Sequence, residues 1–96
     1  MKGIRLNEED LTVSTPRGEI HLTPKEYDIL NYLITHADRS VSAEEIYKAV
    51  WGEEPFSCRT VVAVHICHLR EKIEEDPANP RILKRIWTKG YIFSDK

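Results

Sequence analysis

The chain has 96 residues, with 14 basic and 16 acidic side chains and a net charge of −2. That length provides one small domain with a modest core and excludes a second substantial one. Apolar residues at 41% and charged residues at 31% match soluble globular averages and exclude disorder from composition. No apolar run approaches the roughly 20 residues that span a bilayer. The opening MKGIRLNEED lacks the apolar core of a signal peptide, so we expect no membrane partner. Cys58 and Cys67 are too few for a disulfide framework and point to a reduced, cytoplasmic setting.

Residues 4–22 read as short strands. Ile4 and Leu6, Leu11 and Val13, and Ile20 and Leu22 alternate with polar neighbours, the period of a half-buried strand. Pro16-Arg17-Gly18 marks a turn between the last two runs. Thr23-Pro24-Lys25-Glu26 then opens a helix with a capping box and a proline at the first helical position. Tyr27, Leu30, Leu33 and Ile34 give this helix one apolar stripe, and it should fade near His36-Ala37-Asp38. A short extended piece at Ser40-Val41 leads to Ser42-Ala43-Glu44-Glu45, a second capping box, with Ile46, Ala49 and Val50 expected inward. Gly52 suits the left-handed residue that ends this helix.

After a loop over 53–59, a third helix is expected from a Thr60 cap to about Asp76, before Pro77. Its inner stripe is Val62, Ile66, Leu69 and Ile73. After a turn at 77–80, Ile82–Trp87 and Tyr91–Ser94 read as two strands joined through Thr88-Lys89-Gly90. The expected fold is therefore α+β: an N-terminal antiparallel sheet (about 1–22), a three-helix core (23–76) and a C-terminal hairpin (81–94). This order is that of a winged helix-turn-helix, treated as one domain over 1–96. A helix of this kind packs one face and offers the other to the major groove, which is wide enough to admit it.

At about 100° per residue, the face opposite the core stripe carries Thr60, Ala63, Val64, Cys67 and Glu71, with His68 and Arg70 on its flanks. Val64 suits a thymine methyl; packing under a neighbouring loop is the alternative. Charge is unevenly spread. Residues 81–91 hold Arg81, Lys84, Arg85 and Lys89 and no acid, whereas 42–56 hold four glutamates against Lys48 alone. A local basic stripe of this kind is the footprint of a nucleic-acid contact, or simply a solvated strand face. Glu71, Glu74, Glu75 and Asp76 confine any phosphate contact to the N-terminal half of the third helix.

Three segments carry a resemblance: LTPKEYDILNYL at 22–33, SAEEIYKAVWG at 42–52 and VHICHLREKIEEDPANPRILKRIWTKGYIF at 64–93. In this order and spacing the chain resembles the C-terminal effector domains of OmpR/PhoB-type response regulators, bacterial two-component transcription factors. The resemblance implies a winged helix behind a four-stranded sheet. It also implies binding to promoter double-stranded DNA, often as a head-to-tail dimer on direct repeats, with the loop at 51–59 able to contact RNA polymerase. A receiver domain does not fit within these residues. The recognition helix would be about 60–75 and the wing 82–94. By the same resemblance, Val64 would meet base methyls, His65 would touch phosphate, and Cys67 and His68 would stand at base-reading positions. Arg70, Arg85, Tyr91 and Trp51 would lie at or near phosphate.

The chain departs from the family pattern at two places. Arg59 stands one residue further from His65 than the family's arginine does from its histidine, so Thr60 takes that slot. At the wing, Trp87 and Thr88 replace an arginine and a glycine, leaving Lys89 as the substitute cation and Trp87 to pack or to lie on the sugar-phosphate edge.

An enzyme is not expected, because no phosphate-binding glycine loop, G-x-S-x-G or H-E-x-x-H is present. No metal, cofactor or small-molecule ligand is expected. His65 and Cys67 diverge by about 160° on a helix and cannot converge on one ion. The rival reading is a winged helix used as a protein–protein interaction module, which the net charge and the arginine-poor helix favour.

Overall fold

The computed structural model describes residues 4–54, 58–86 and 89–94. Three strands come first: β1 (Arg5–Asn7), β2 (Thr12–Thr15) and β3 (Gly18–His21), an antiparallel meander in that order. Leu6 pairs with Val13 and Val13 with Ile20. The pleat therefore puts all three on one face, with Val13 fully buried. Leu11 lies outside the strands, with φ at 52° in the turn after β1. There Asn7 Oδ1 accepts from the Glu9 and Asp10 amides at 3.0 and 3.3 Å, an Asx arrangement that reverses the chain. The family resemblance implies four strands; among the described residues this sheet has three.

Helix α1 (Pro24–Thr35) starts as its sequence dictates. Thr23 Oγ1 accepts from the Glu26 amide at 3.2 Å, and Glu26 Oε1 accepts from the Thr23 amide at 2.9 Å. Ile29, outside the expected stripe, is fully buried, and Ile34 is only half-buried. Helix α2 (Ala43–Trp51) has half a capping box. Ser42 Oγ accepts from the Glu45 amide at 3.0 Å, but the Glu45 carboxylate takes the Tyr32 hydroxyl at 2.5 Å and Arg39 at 2.7 Å. Those two partners draw Glu45 away from the helix start. Ala43 and Ile46 are buried, whereas Ala49 is exposed and Val50 half-buried, so the inward face is rotated from the expected one. Gly52 closes the helix with φ at 69°.

Helix α3 (Cys58–Ile73) begins before Thr60 and ends before Asp76. Cys58 is buried and is the first residue of the inner stripe Cys58, Val62, Ile66, Leu69 and Ile73, so Cys58 and Arg59 belong to the helix, and Thr60 is not its cap. Its end is set by Glu74. This buried carboxylate accepts from the amides of Arg81, Ile82 and Leu83 at 2.9, 2.9 and 2.7 Å. Arg17 donates to the Lys72 and Glu74 carbonyls at 3.3 and 2.9 Å, satisfying helix-end acceptors.

The closing hairpin is β4 (Leu83–Ile86) and β5 (Gly90–Phe93): β4 starts one residue after the expected run, and β5 has the expected length but begins one residue earlier. Val41 adds an antiparallel bridge to β5, its amide and carbonyl both bonded to Tyr91 at 2.7 and 2.8 Å. Gly90 makes this possible: its φ is 116°, and a Cβ there would stand 2.1 Å from the Val41 carbonyl oxygen. One continuous cluster runs from Ile4 and Val13 through all three helices to Leu83 and Phe93. The architecture is an α+β winged helix-turn-helix. Among the described residues, no helix is long and apolar enough to cross a membrane.

Leu69→Ala, at a site with no exposure, should destabilise the chain by about 2–5 kcal/mol. Val64→Ala should stay within about 0.5 kcal/mol. Equal losses in a chemical-denaturation series would reverse the assigned faces of α3. Gly90→Ala should cost more than about 1 kcal/mol, through strain and collision with Val41; an unchanged melting midpoint would contradict that contact.

Candidate nucleic-acid interface

The outer side of α3 is continuous and free of acid until Glu71. Residues 58–70 include Arg59, His65, His68 and Arg70 and no aspartate or glutamate. Thr60, Val64, Cys67 and His68 are all exposed, as the helical phase requires. Val61 is exposed as well, and helical counting from Val62 did not single it out. Among the acids expected to weaken this helix, Glu74 is turned inward and spent on the wing's backbone amides.

Two side chains have internal duties that spacing alone does not show. Arg70 is half-buried, and its Nε donates to the Leu83 carbonyl at 3.0 Å. It ties α3 to β4 and fixes the wing beside the helix. Arg59 is exposed, and its Nε meets Glu44 of α2 at 3.0 Å. Glu44 is held below the ordinary carboxylate range by its own backbone N–H and by Arg59. A phosphate that recruits Arg59 competes with Glu44 for it.

His65 sits in an aromatic group that joins all three helices. The Trp51 ring stacks on Tyr47 at 4.8 Å, and His65 meets Trp51 edge-on at 5.3 Å. Lys25 Nζ lies 5.1 Å from the Trp51 ring, a cation–π contact. His65 Nδ1 is 2.8 Å from the Val61 carbonyl oxygen. A carbonyl only accepts, so Nδ1 carries the hydrogen, and Nε2 is the ring nitrogen left for an outside partner. Sequence reasoning named Trp51 and His65 but not Lys25 or Tyr47, which lie on other helices and become neighbours only in the fold.

On the wing, Lys84, Arg85 and Lys89 are exposed. Tyr91, paired with Arg85 across the hairpin, is only 7% exposed. It belongs to the core beneath the wing rather than to its outer surface. Trp87 lies outside the described residues. Of the expected loop at 51–59, Trp51 closes α2, and Cys58 and Arg59 open α3.

Glu26 anchors the other flank of α3. It is 3% exposed, and Lys72 Nζ approaches its Oε1 at 2.5 Å while His68 Nδ1 lies 3.9 Å from its Oε2. Burial alone would raise its pKa. Lys72, together with the Thr23 amide and hydroxyl, outweighs burial and holds it below the ordinary value. Lys72 is thus engaged within the protein.

A family described as "Transcriptional regulatory protein, C terminal" matches residues 17–93. The chain is 43% identical over 74 residues to the regulatory protein VanRc of Enterococcus gallinarum, covering 77% of this chain and 32% of that one. Among solved structures it is similar to the response regulator DrrB, a Thermotoga maritima OmpR/PhoB homologue. There the TM-score is 0.85 and the identity 36%, over 99% of this chain and 43% of that one. It is also similar to the DNA-binding domain of Bacillus subtilis CssR, with a TM-score of 0.79 and 32% identity over 95% of this chain and 99% of that one. This chain belongs to the family of C-terminal effector domains of OmpR/PhoB-type response regulators. It spans about a third of the length of the curated relatives it matches.

The Glu26 pKa sets a pH dependence. Because the folded carboxyl is the stronger acid, its stabilisation is fully present above the ordinary carboxylate value and is lost as pH falls through the lower folded value. Thermal unfolding between about pH 7 and about pH 3 should show Glu26→Gln less stable than the parent at neutrality, with the gap closing on acidification. A gap that stays constant would assign Glu26 no such linkage.

Proposed function

We propose that this chain is a sequence-specific double-stranded DNA-binding domain of a transcriptional regulator. In this reading the outer face of α3 enters the major groove and the β4–β5 wing lies on the adjacent backbone. The single observation that carries it is the coincidence of an acid-free, exposed helix face with a basic hairpin locked beside it by Arg70 and Glu74. Family membership supports it, as does the likeness to CssR, whose solved structure is of a DNA-binding domain.

Thr60, Val64, Cys67 and His68 face the bases, and His65, Arg59, Arg85 and Lys89 face phosphate. Arg70 acts chiefly by holding the wing, and Trp51 by seating His65. Tyr91 supports the wing from below. The promoter sites are direct repeats occupied head-to-tail, and the segment at 51–59 meets RNA polymerase. The chain works as one domain, in the cytoplasm, without catalysis.

Affinity for a promoter duplex, measured across salt concentration, tests this. Log affinity should fall linearly with log salt, and Arg85→Ala and Lys89→Ala should each flatten the slope by about 1. Salt-independent binding would favour the protein-interaction reading instead. A second expectation comes from His65. With Nδ1 committed to Val61, Nε2 can donate to a phosphate oxygen only from the imidazolium. His65→Gln should therefore weaken binding to every duplex and flatten the salt slope. A His65→Gln salt profile identical to the parent's would take His65 away from the phosphate.

A further inference from the structure

Two large apolar side chains are exposed among the described residues, Val61 at 38% and Val64 at 46%. Both are on α3. Three residues apart, they are surface neighbours with Cβ atoms about 5–6 Å apart. Cys67 follows at the same interval, exposed and unpaired; a free thiol behaves as a small hydrophobe. The three form a row of low polarity along the outer face, flanked by Thr60 and His68. β-Branched residues are not favoured on a solvated helix surface, where packing gives them nothing in return.

What the face lacks is as informative. Residues 60–69 contain no arginine, lysine, asparagine or glutamine, the side chains that hydrogen-bond most selectively to base edges in the major groove. The apolar feature that the groove offers is the thymine C5-methyl group.

We propose that Val61 is a specificity-determining residue, forming with Val64 and Cys67 a ridge that reads neighbouring thymine methyl groups. The preferred duplex accordingly carries a thymine run beneath α3. This rests on the DNA-binding reading above and deepens it. Val61 has a double part: its side chain extends the ridge, and its carbonyl orients His65.

The test begins with the 96-residue chain and the duplex it recovers from a random DNA pool. Each thymine of that duplex is replaced in turn by uracil, which pairs identically and lacks the methyl. At two or more neighbouring positions, uracil should weaken binding about fourfold each, the value of one methyl group removed from water. Val61→Ala should weaken binding to the thymine duplex by a similar factor while leaving affinity for the matching uracil duplex unchanged. Its melting midpoint, measured alongside, reports whether the fold is intact. Equal affinity for thymine and uracil duplexes would overturn the ridge while leaving DNA binding in place. So would a Val61→Ala loss of the same size on both duplexes. Failure to retain any duplex at low salt would instead overturn the DNA-binding reading, and the ridge with it.

Discussion

A helix of 16 residues, α3, buries one side completely and must leave the other over. Cys58, Val62, Ile66, Leu69 and Ile73 are each at most 3% exposed. Together they fix the rotation of the helix about its axis, because turning it by even one residue would drive a core side chain into water. Everything about the outer surface follows from that lock. Thr60, Val61, Val64, Cys67 and His68 are presented together because they are the residues that the core cannot use. The face is pre-organised before any partner arrives, which limits what ordering on binding would cost.

Two buried carboxylates hold this helix against the rest of the molecule. Glu26 closes the start of α1 and takes Lys72 from α3. Glu74 stops α3 and collects the amides that lead into β4. Removing either partner from such an arrangement leaves a buried charge or unpaired donors, which costs more than a surface pair would. In this way Glu74, in a chain of net negative charge, stabilises the basic wing instead of opposing it. Electrostatic sums over the whole sequence miss this, because they count Glu74 as a surface repeller when it is consumed inside.

The order of elements was legible because local signals are strong: the Thr23 capping box, the left-handed Gly52, the inner stripe of α3 and the turn at Pro16-Arg17. What was not legible depended on contacts between residues far apart in the chain. The Ser42 box lost its second half to Tyr32 and Arg39. Helix α3 ended early because Glu74 reaches residues 81–83. Cys58 looks polar enough for a loop, but its burial makes it the first turn of a helix. Of the site, the exposed residues of α3 were readable from phase, Val61 excepted. Arg70's bond to Leu83, the stack of Tyr47, Trp51 and His65, and the inward turn of Tyr91 were not. Each requires knowing which helix or strand lies alongside.

The central claim is spatial: the outer face of α3 and the hairpin beside it form one duplex-binding surface. Titrating isotope-labelled protein with a promoter duplex, while following backbone amide resonances, tests it most directly. The account predicts that the largest shifts fall at residues 59–68 and along the wing at 84–90, with β1 and β2 left nearly unmoved. Shifts concentrated on the N-terminal sheet, with the face of α3 silent, would contradict it.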